Sequence, residues 1–128
     1  MTCADPVAVI TGGTGGIGTA ICQVLAAAGF AIVVGYRSSA AAAERLVSML
    51  PRTGHCAQHA PVTDSAALRR MSGEIEKRYG RCDVLINCAG TTRFVPHEDL
   101  DGLDDTLIDD ILATNVRGSF ATDRKSVV

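Results

Sequence analysis

The sequence predicts an α/β protein built on a doubly wound parallel sheet of about four strands with flanking helices. Short unbroken apolar runs alternate with helix-like segments along the chain. A run that is apolar at every position suits a strand whose two faces are both covered by helices. Alternating strands and helices connect by right-handed crossovers, which place the strands parallel. The third observation is a glycine-rich segment directly after the first apolar run.

The predicted elements follow one another in a regular order. The strands occupy residues 7–10, 31–34, 56–62 and 84–86, and the third is the weakest of them. The helices occupy residues 17–28, 39–50, 64–79 and 104–114. Gly29 ends the first helix, and Asp64 is the expected N-cap of the third. The last helix carries an apolar stripe at helical spacing, made of Leu103, Leu107, Ile108, Ile111 and Leu112.

Length and composition fit one folded domain. The chain has 128 residues, a formal net charge of −2 and 47% hydrophobic residues, and its slight acidity argues against nucleic acid or an anionic membrane as a partner. No apolar run approaches the length of a membrane span, and the N-terminus has no signal segment. Five scattered cysteines without a C-x-x-C pair suit reduced thiols. We therefore expect a soluble, cytoplasmic protein.

The glycine-rich segment lies between the first strand and the first helix and reads T-G-G-T-G-G-I-G over residues 11–18. Glycines there let the backbone approach a pyrophosphate, and the helix N-terminus supplies N–H groups and partial positive charge. The segment fits both G-x-G-x-x-G and T-G-x-x-x-G-x-G. It predicts a Rossmann-like dinucleotide-binding loop, against the alternative of a flexible turn. The candidate cofactor-binding residues are Gly12, Thr14, Gly15, Gly16, Ile17 and Gly18.

Two further motifs accompany the glycine loop. Asn87-Cys88-Ala89-Gly90 follows the fourth strand, and Asn115 follows the last predicted helix. In this order and spacing the three motifs resemble the short-chain dehydrogenase/reductase family over residues 7–122. The resemblance implies an NAD(P)-dependent oxidoreductase with cofactor contacts at Asn87, Ala89 and Gly90 and a catalytic-site role for Asn115. Residues 11–30 are similar to acetoacetyl-CoA reductases and 3-oxoacyl-carrier-protein reductases.

The end of the second predicted strand favours NADP(H) over NAD(H). An acidic residue there would bind the ribose 2′-hydroxyl of NAD, but the chain has no carboxylate between this strand and Glu44. Arg37, helped by Ser38 or Thr14, can instead pair with a 2′-phosphate in a charge-assisted contact. The alternative is that Arg37 is a surface residue of a loop.

One position departs from the family's pattern at the adenine end of the site. The family usually has an aspartate just before the valine that follows the third strand, and this chain has Pro61 there. Proline offers neither a carboxylate to the adenine amino group nor an N–H group. Val62 remains a predicted contact through its backbone, and Asp64 is assigned to the helix cap. Cys88 stands in place of the family's second motif asparagine.

The family's catalytic serine and its Tyr-x-x-x-Lys are absent from this sequence. Tyr36 and Tyr79 are the only tyrosines, and the residues four positions later are Ala40 and Asp83. The resemblance therefore implies a truncated sheet and the N-terminal, cofactor-binding half of a reductase. The full-length parent is expected to reduce a 3-oxoacyl-type ketone, a small-molecule carbonyl or acyl thioester, and to form a homo-oligomer. Asn115 alone gives a partial tetrad, so this chain is expected to be inactive by itself.

Two alternatives to that interpretation stay open. The chain can be a non-catalytic nucleotide-binding or regulatory module that ends here. It can also be a fragment that does not fold stably, because the stripe on the last helix would be left partly uncovered. A melting transition measured with and without NADPH separates the two.

Residues 1–122 are predicted to form the NAD(P)-binding domain, and residues 123–128 a non-native tail. The last six residues read D-R-K-S-V-V and leave the apolar helix pattern. A common sequencing-adapter string, GAT-CGG-AAG-AGC-GTC-GTG, encodes this hexapeptide and is followed by the stop codon TAG. The alternative is a natural polar C-terminal tail.

A metal site is not expected from the sequence. His55, Cys56 and His59 lie close together, but strand alternation places Cys56 on the opposite face from both histidines. The acidic residues between positions 98 and 110 fit a calcium loop only in part and suit a solvated loop and helix face.

Overall fold

A computed structural model describes residues 4–125. Its strands are β1 (Val7–Thr11), β2 (Ala31–Tyr36), β3 (Cys56–His59) and β4 (Val84–Asn87). Its helices are α1 (Gly16–Ala27), α2 (Ala40–Met49), α3 (Ser65–Tyr79), α4 (Asp105–Leu112) and α5 (Ser119–Lys125), with a π-helical segment (Ala113–Gly118) joining the last two. Among these residues no helix is long and apolar enough to cross a bilayer.

The four strands form one parallel sheet in the order β3-β2-β1-β4. Val9 of β1 is opposite Val33 of β2 on one side and Leu85 of β4 on the other. The chain thus adds strands outward from β1 in one direction and then returns to its other side. That reversal is the topological switch point at which open α/β sheets bind ligands, and it confirms the predicted doubly wound sheet.

Alternate residues of the central strands serve two separate cores, which explains why the runs are apolar at every position. The core on the α3 and α5 side contains Val7, Val9, Ala31, Val33, Cys56, Ala60, Leu68, Met71, Ile75 and Ala121. The core on the α1 and α2 side contains Ala8, Ile10, Cys22, Ala26, Ile32, Val34, Ala43, Leu46 and Leu50.

The helix boundaries follow from capping residues. Asp64 accepts hydrogen bonds through Oδ1 from the amides of Ala66 and Ala67, at 2.9 and 3.1 Å, as the sequence predicts. Ser39 caps α2 in the same way by accepting from the amide of Ala42. Gly29 follows α1 with φ of +100°, a conformation that side chains rarely adopt.

The third strand is shorter than predicted and ends at His59, so the expected range 56–62 is wrong at its end. Pro61 has no amide to donate to a neighbouring strand, and its carbonyl accepts from the amide of Asp64 at 3.0 Å. The chain therefore turns at this point toward α3, which moves the predicted contact Val62 into the turn.

The last helical stretch is longer than predicted. Asp104 caps it by accepting from the amide of Leu107 at 2.8 Å, but the helix continues through the π-helical segment to Lys125 instead of ending near residue 114. The helical stretch continues past Gly118. The missing side chain of Gly118 lets the helix approach Val62 closely. Of the predicted apolar stripe only Leu107 is buried, while Leu103, Ile108 and Leu112 are exposed.

Candidate nucleotide-binding site

A cavity of about 300 Å³ opens at the carboxyl ends of the four strands. It is lined by loops that follow each strand and by the start of the π-helical segment. The lining residues are Gly12, Thr14, Gly15, Arg37, Ser38, Ser39, Ala60, Pro61, Val62, Thr63, Cys88, Ala89, Gly90, Thr91 and Thr114. Among the described residues, Arg37 is the only charged side chain in this lining.

The glycine loop is held against the loop after β4 by backbone contacts too close for side chains. Gly12 has φ of +59°, and a Cβ there would lie 2.8 Å from Cα of Ala89. The amide of Ala89 donates to Oγ1 of Thr11 at 3.1 Å. A Cβ on Gly18 would overlap the carbonyl oxygen of Gly12 and lie 2.9 Å from Cα of Gly13. Gly12 and Gly18 therefore fix the path of the loop.

The N-terminus of α1 faces this loop without a side-chain cap. Its N-cap is Gly15, and no side chain accepts a hydrogen bond from the first turn. The space beside Gly16 is open, because a Cβ there would meet nothing within 4 Å. First-turn amides and the partial positive charge of the helix end could hold a pyrophosphate. This geometry fits the dinucleotide that the glycine loop predicts.

Not every predicted residue of the helix start lines the cavity. Gly16, Ile17 and Gly18 lie outside its wall. The side chain of Ile17 is 75% exposed and, with Gly16, lines a separate apolar depression on α1 that also includes Ala20, Ile21, Val24, Leu25 and Ile86. Only the backbone of Ile17 can face a phosphate.

Arg37 and Ser38 lie where the sequence places them, in the loop after β2 and at the cavity wall. Both are exposed. Among the described residues no carboxylate lines the cavity, so a phosphate beside Arg37 would meet no like charge in the wall.

The loop after β3 forms the outer wall. Val62 is buried and lines the cavity with Pro61 and Thr63. Asp64 lies beyond the wall with its carboxylate turned toward α3. Hydrogen bonds from the amides of Ala67 and Ala66 keep the pKa of Asp64 below its usual value.

Asn115 ties the last helical stretch to the loop after β4. Its Nδ2 donates to the carbonyl of Thr91 at 2.9 Å, and its Oδ1 accepts from the amide of Thr91 at 2.8 Å. The π-helical segment that carries Asn115 is a local widening of a kind frequent at functional sites. The side chain of Asn115 does not line the cavity, but its two hydrogen bonds hold the neighbouring wall residue Thr91 in place.

The motif after β4 contributes backbone to the wall. Ala89 and Gly90 line the cavity as predicted. Asn87 does not, because it ends β4 opposite Thr11. Cys88 lines the wall too, a contact that the sequence reasoning mentioned only as a replaced asparagine.

Several wall residues were missed from the sequence. Ser39 and Thr63 are direct neighbours of the predicted Ser38 and Val62, and Ala60 lies two positions before Val62, so the strand ends gave a usable signal for them. Thr91 follows the predicted Gly90 in the same way. Thr114 was placed at the end of the last helix and gave no signal, because its position depends on how the helix crosses the sheet.

The buried His55 and Cys22 have packing roles. Within residues 4–125 no group of three or more His, Cys, Asp or Glu residues could hold a metal ion. Nδ1 of the buried His55 accepts from the amide of Ile32 at 3.0 Å, so its Nε2 donates to the carbonyl of Pro51 at 2.8 Å. Burial, then the nearby Cys88, raises the pKa of Cys22 to about 11. Cys3 lies outside the described residues.

A parallel doubly wound sheet with a glycine loop, an uncapped helix N-terminus and a cavity at the switch point defines a dinucleotide-binding α/β protein. Comparison with known proteins narrows the class. A family model described as short chain dehydrogenase matches residues 6–127, and the chain belongs to this family of oxidoreductases.

Three curated relatives illustrate the match. A ketoacyl reductase assigned to the granaticin polyketide synthase of Streptomyces violaceoruber is 38% identical over 91% of this chain and 46% of its own length. The acetoacetyl-CoA reductase of Cupriavidus necator is 36% identical over 89% of this chain and 46% of its own length. The short-chain dehydrogenase/reductase homolog YusS of Bacillus subtilis is 34% identical over 79% of this chain and 94% of its own length.

Solved structures agree with the sequence comparison. A crystal structure from Burkholderia xenovorans, classed as a short-chain dehydrogenase/reductase, superposes with a TM-score of 0.92 at 32% identity. The match covers 98% of this chain and 53% of the Burkholderia xenovorans protein. Apart from YusS, the chain spans about half the length of the relatives named here.

Proposed function

We propose that this chain is the NADP(H)-binding half of a short-chain oxidoreductase whose whole protein reduces a 3-oxoacyl-type ketone to a hydroxyl. The observation that carries the proposal is the cavity wall: Arg37 is the only charged side chain among its described residues, and it lies in the same wall as the glycine loop. A positive wall without a carboxylate suits a cofactor with an additional phosphate.

Different residues around the cavity bind different groups of the cofactor. The amides at the start of α1 hold the pyrophosphate in the open space beside Gly16, and Gly12 and Gly18 fix the path of the loop. Arg37, with Ser38 or Thr14, holds the 2′-phosphate, and Val62 meets the base through its backbone. When bound, the reduced nicotinamide supplies the hydride for the ketone.

Asn115 is a positioning residue in this proposal, because both polar atoms of its side chain are hydrogen-bonded to Thr91. Neither tyrosine supplies the acid. Tyr79 donates to the carbonyl of Gly54 at 2.6 Å, before the amino end of β3, whereas the cavity lies at the carboxyl ends of the strands. Tyr36 packs against the ring of His59. We expect this chain alone to be inactive.

The substrate class, location and assembly of the whole protein are part of the proposal. The named acetoacetyl-CoA and ketoacyl reductases support a 3-oxoacyl thioester as the carbonyl substrate. We propose a cytoplasmic, homo-oligomeric parent without nucleic-acid or membrane partners, in keeping with the net charge of −2.

Titration calorimetry with NADPH and NADH tests the cofactor assignment. We expect NADPH to bind at least about tenfold more tightly, and Arg37→Leu to remove that preference while NADH affinity stays unchanged, since the lost contact is charge-assisted. Arg69→Leu, on the exposed face of α3, is the matched control and should leave both affinities unchanged. Equal affinities of the unaltered chain for the two cofactors would contradict the proposal.

A second candidate is a non-catalytic nucleotide-binding module, which the 94% coverage of YusS favours. Both candidates bind NADPH and raise the melting temperature with it. They differ in the whole gene product: NADPH oxidation with acetoacetyl-CoA at an enzyme-like rate supports the reductase, and its absence supports the module.

The division into a domain of residues 1–122 and a non-native tail of residues 123–128 is also a proposal. Thr122 is fully buried, while Asp123 and Arg124 are exposed, and residues 126–128 lie outside the described part. Reading the DNA after the Thr122 codon tests it, and any sequence other than the adapter string contradicts it.

A further inference from the structure

The outer wall of the cavity, after β3, bears on which nucleotide base the site accepts. In a doubly wound dinucleotide-binding sheet the first half, β1 to β3, holds one nucleoside, with its ribose at the end of the second strand. Arg37 and Ser38 occupy that strand end here. The base of this nucleoside therefore lies farther out, against the wall formed by residues 60–63.

The side chains of this wall offer few polar groups that distinguish one purine from another, and the backbone of Val62, placed at the base in the proposed function, is assigned to ring atoms that both purines share. The side chains of Ala60, Pro61 and Val62 are apolar, and Pro61 has no N–H group. The amide of Ala60 already donates to the carbonyl of Tyr36 at 2.8 Å. The one polar side chain of this stretch is Thr63, whose hydroxyl donates as readily as it accepts.

The nearest carboxylate is unavailable to the base. Asp64 follows the wall residues directly, but it does not line the cavity. Its Oδ1 accepts from two amides of α3, and its own amide donates to the carbonyl of Pro61. Both contacts hold Asp64 in the helix cap. A fixed acceptor for the 6-amino group of adenine is therefore missing from the side chains of the described wall.

We infer that this site selects its dinucleotide by the phosphates and tolerates exchange of the purine, binding a 6-oxo purine about as well as a 6-amino purine. The inference rests on the proposed NADP(H) function and concerns the same cavity. A carboxylate acceptor would favour binding of the 6-amino purine by about tenfold or more, because the oxygen of a 6-oxo purine would face a carboxylate oxygen with no proton between them. The hydroxyl of Thr63 accepts from the first and donates to the second.

Calorimetric titration of NADPH and of its hypoxanthine analogue, reduced nicotinamide hypoxanthine dinucleotide phosphate, tests the inference by binding alone. For the unaltered chain we expect dissociation constants within about threefold of each other. Pro61→Asp introduces a fixed acceptor and should favour the adenine cofactor by about tenfold or more. Pro61→Asn is the matched control, since its amide both donates and accepts, and its ratio should stay near that of the unaltered chain.

The outcomes separate this inference from the proposed function. If the unaltered chain prefers the adenine cofactor by tenfold or more, the inference is wrong while NADP(H) binding stands. If it binds neither cofactor, the proposed function itself fails. An unchanged ratio in a folded Pro61→Asp variant contradicts the placement of the base at this wall. Should that variant not melt cooperatively, the ratio measured on the unaltered chain still decides the inference.

Discussion

The two sides of β1 differ in how completely the chain covers them. On one side, all of β2 except Tyr36 is buried between α1, α2 and α3, as is β1 itself. On the other side, Val84, Leu85 and Ile86 of β4 are only half-buried. The long helical stretch beyond β4 exposes large apolar side chains, with Leu112 at 52%, Val116 at 62% and Phe120 at 65%.

This contrast in packing indicates which part of the candidate site is rigid. The glycine loop and the end of β2, next to Arg37, lie on the fully buried side. The loop after β4 lies on the half-covered side and depends on individual hydrogen bonds, one donated by the amide of Ala89 to Thr11 and a reciprocal pair between Asn115 and Thr91. The site thus joins a well-packed nucleotide-binding part to a part held by a few specific contacts.

Truncating one leucine on each side should produce the largest contrast. Leu68 of α3 is fully buried, and Leu68→Ala should lower the free energy of unfolding by about 2–5 kcal/mol through lost burial and a cavity. Leu112→Ala, at an exposed site, should change it by less than about 0.5 kcal/mol. Urea unfolding followed by circular dichroism measures both. Similar losses would mean that the exposed helix face is covered in solution.

A methyl group in the glycine loop should have the next largest effect. Gly18→Ala places a Cβ against the carbonyl of Gly12, so we expect a loss of about 1–3 kcal/mol in stability and at least about tenfold weaker NADPH binding. Gly73→Ala is the control, because its Cβ would meet nothing within 4 Å on α3. It should stabilise the helix by about 0.5–1 kcal/mol. Thermal melting and calorimetry compare the two, and unchanged NADPH binding by the first would argue against a rigid loop.

The hydrogen bond from the amide of Val7 in β1 to Asp83, directly before β4, should have a small, pH-dependent effect on stability. Hydrogen bonds from Arg81, then from the amide of Val7, lower the pKa of Asp83. A lowered native pKa stabilises the fold above the unfolded value, about 3.9, and that stabilisation is lost as the pH falls through the native pKa. Asp83→Asn should therefore flatten the decline of melting temperature below about pH 4. An equally steep decline in the variant would show that other carboxylates cause it.

Much of the fold and part of the candidate site could be predicted from local sequence. Apolar runs marked the strands because each one serves two cores, and Asp64 marked a helix start through its own cap. The end of β3 was misjudged because Val62 is apolar for a reason other than a strand: it fills the cavity wall beside Gly118. The extension to Lys125 was missed because the turn that carries Asn115 is stabilised by Thr91, 24 positions away. Contacts of that range leave no local pattern.

The pairing of β1 with β4 also has a consequence for biosynthesis. Asp83, which accepts a hydrogen bond from the amide of Val7, is separated from it by 76 positions. Pairing at this edge of β1 therefore closes a long loop at a cost in chain entropy, and it can form only after Asp83 has been synthesised. At about 5–20 residues per second, a ribosome needs roughly 4–15 s to deliver that partner after β1. During this interval β1, which is apolar except for Thr11, keeps one edge of unpaired amides and carbonyls that can pair with another nascent chain. If α1 and β2 pack against β1 as soon as they are synthesised, they would therefore protect this strand from aggregation before the nucleotide site is complete.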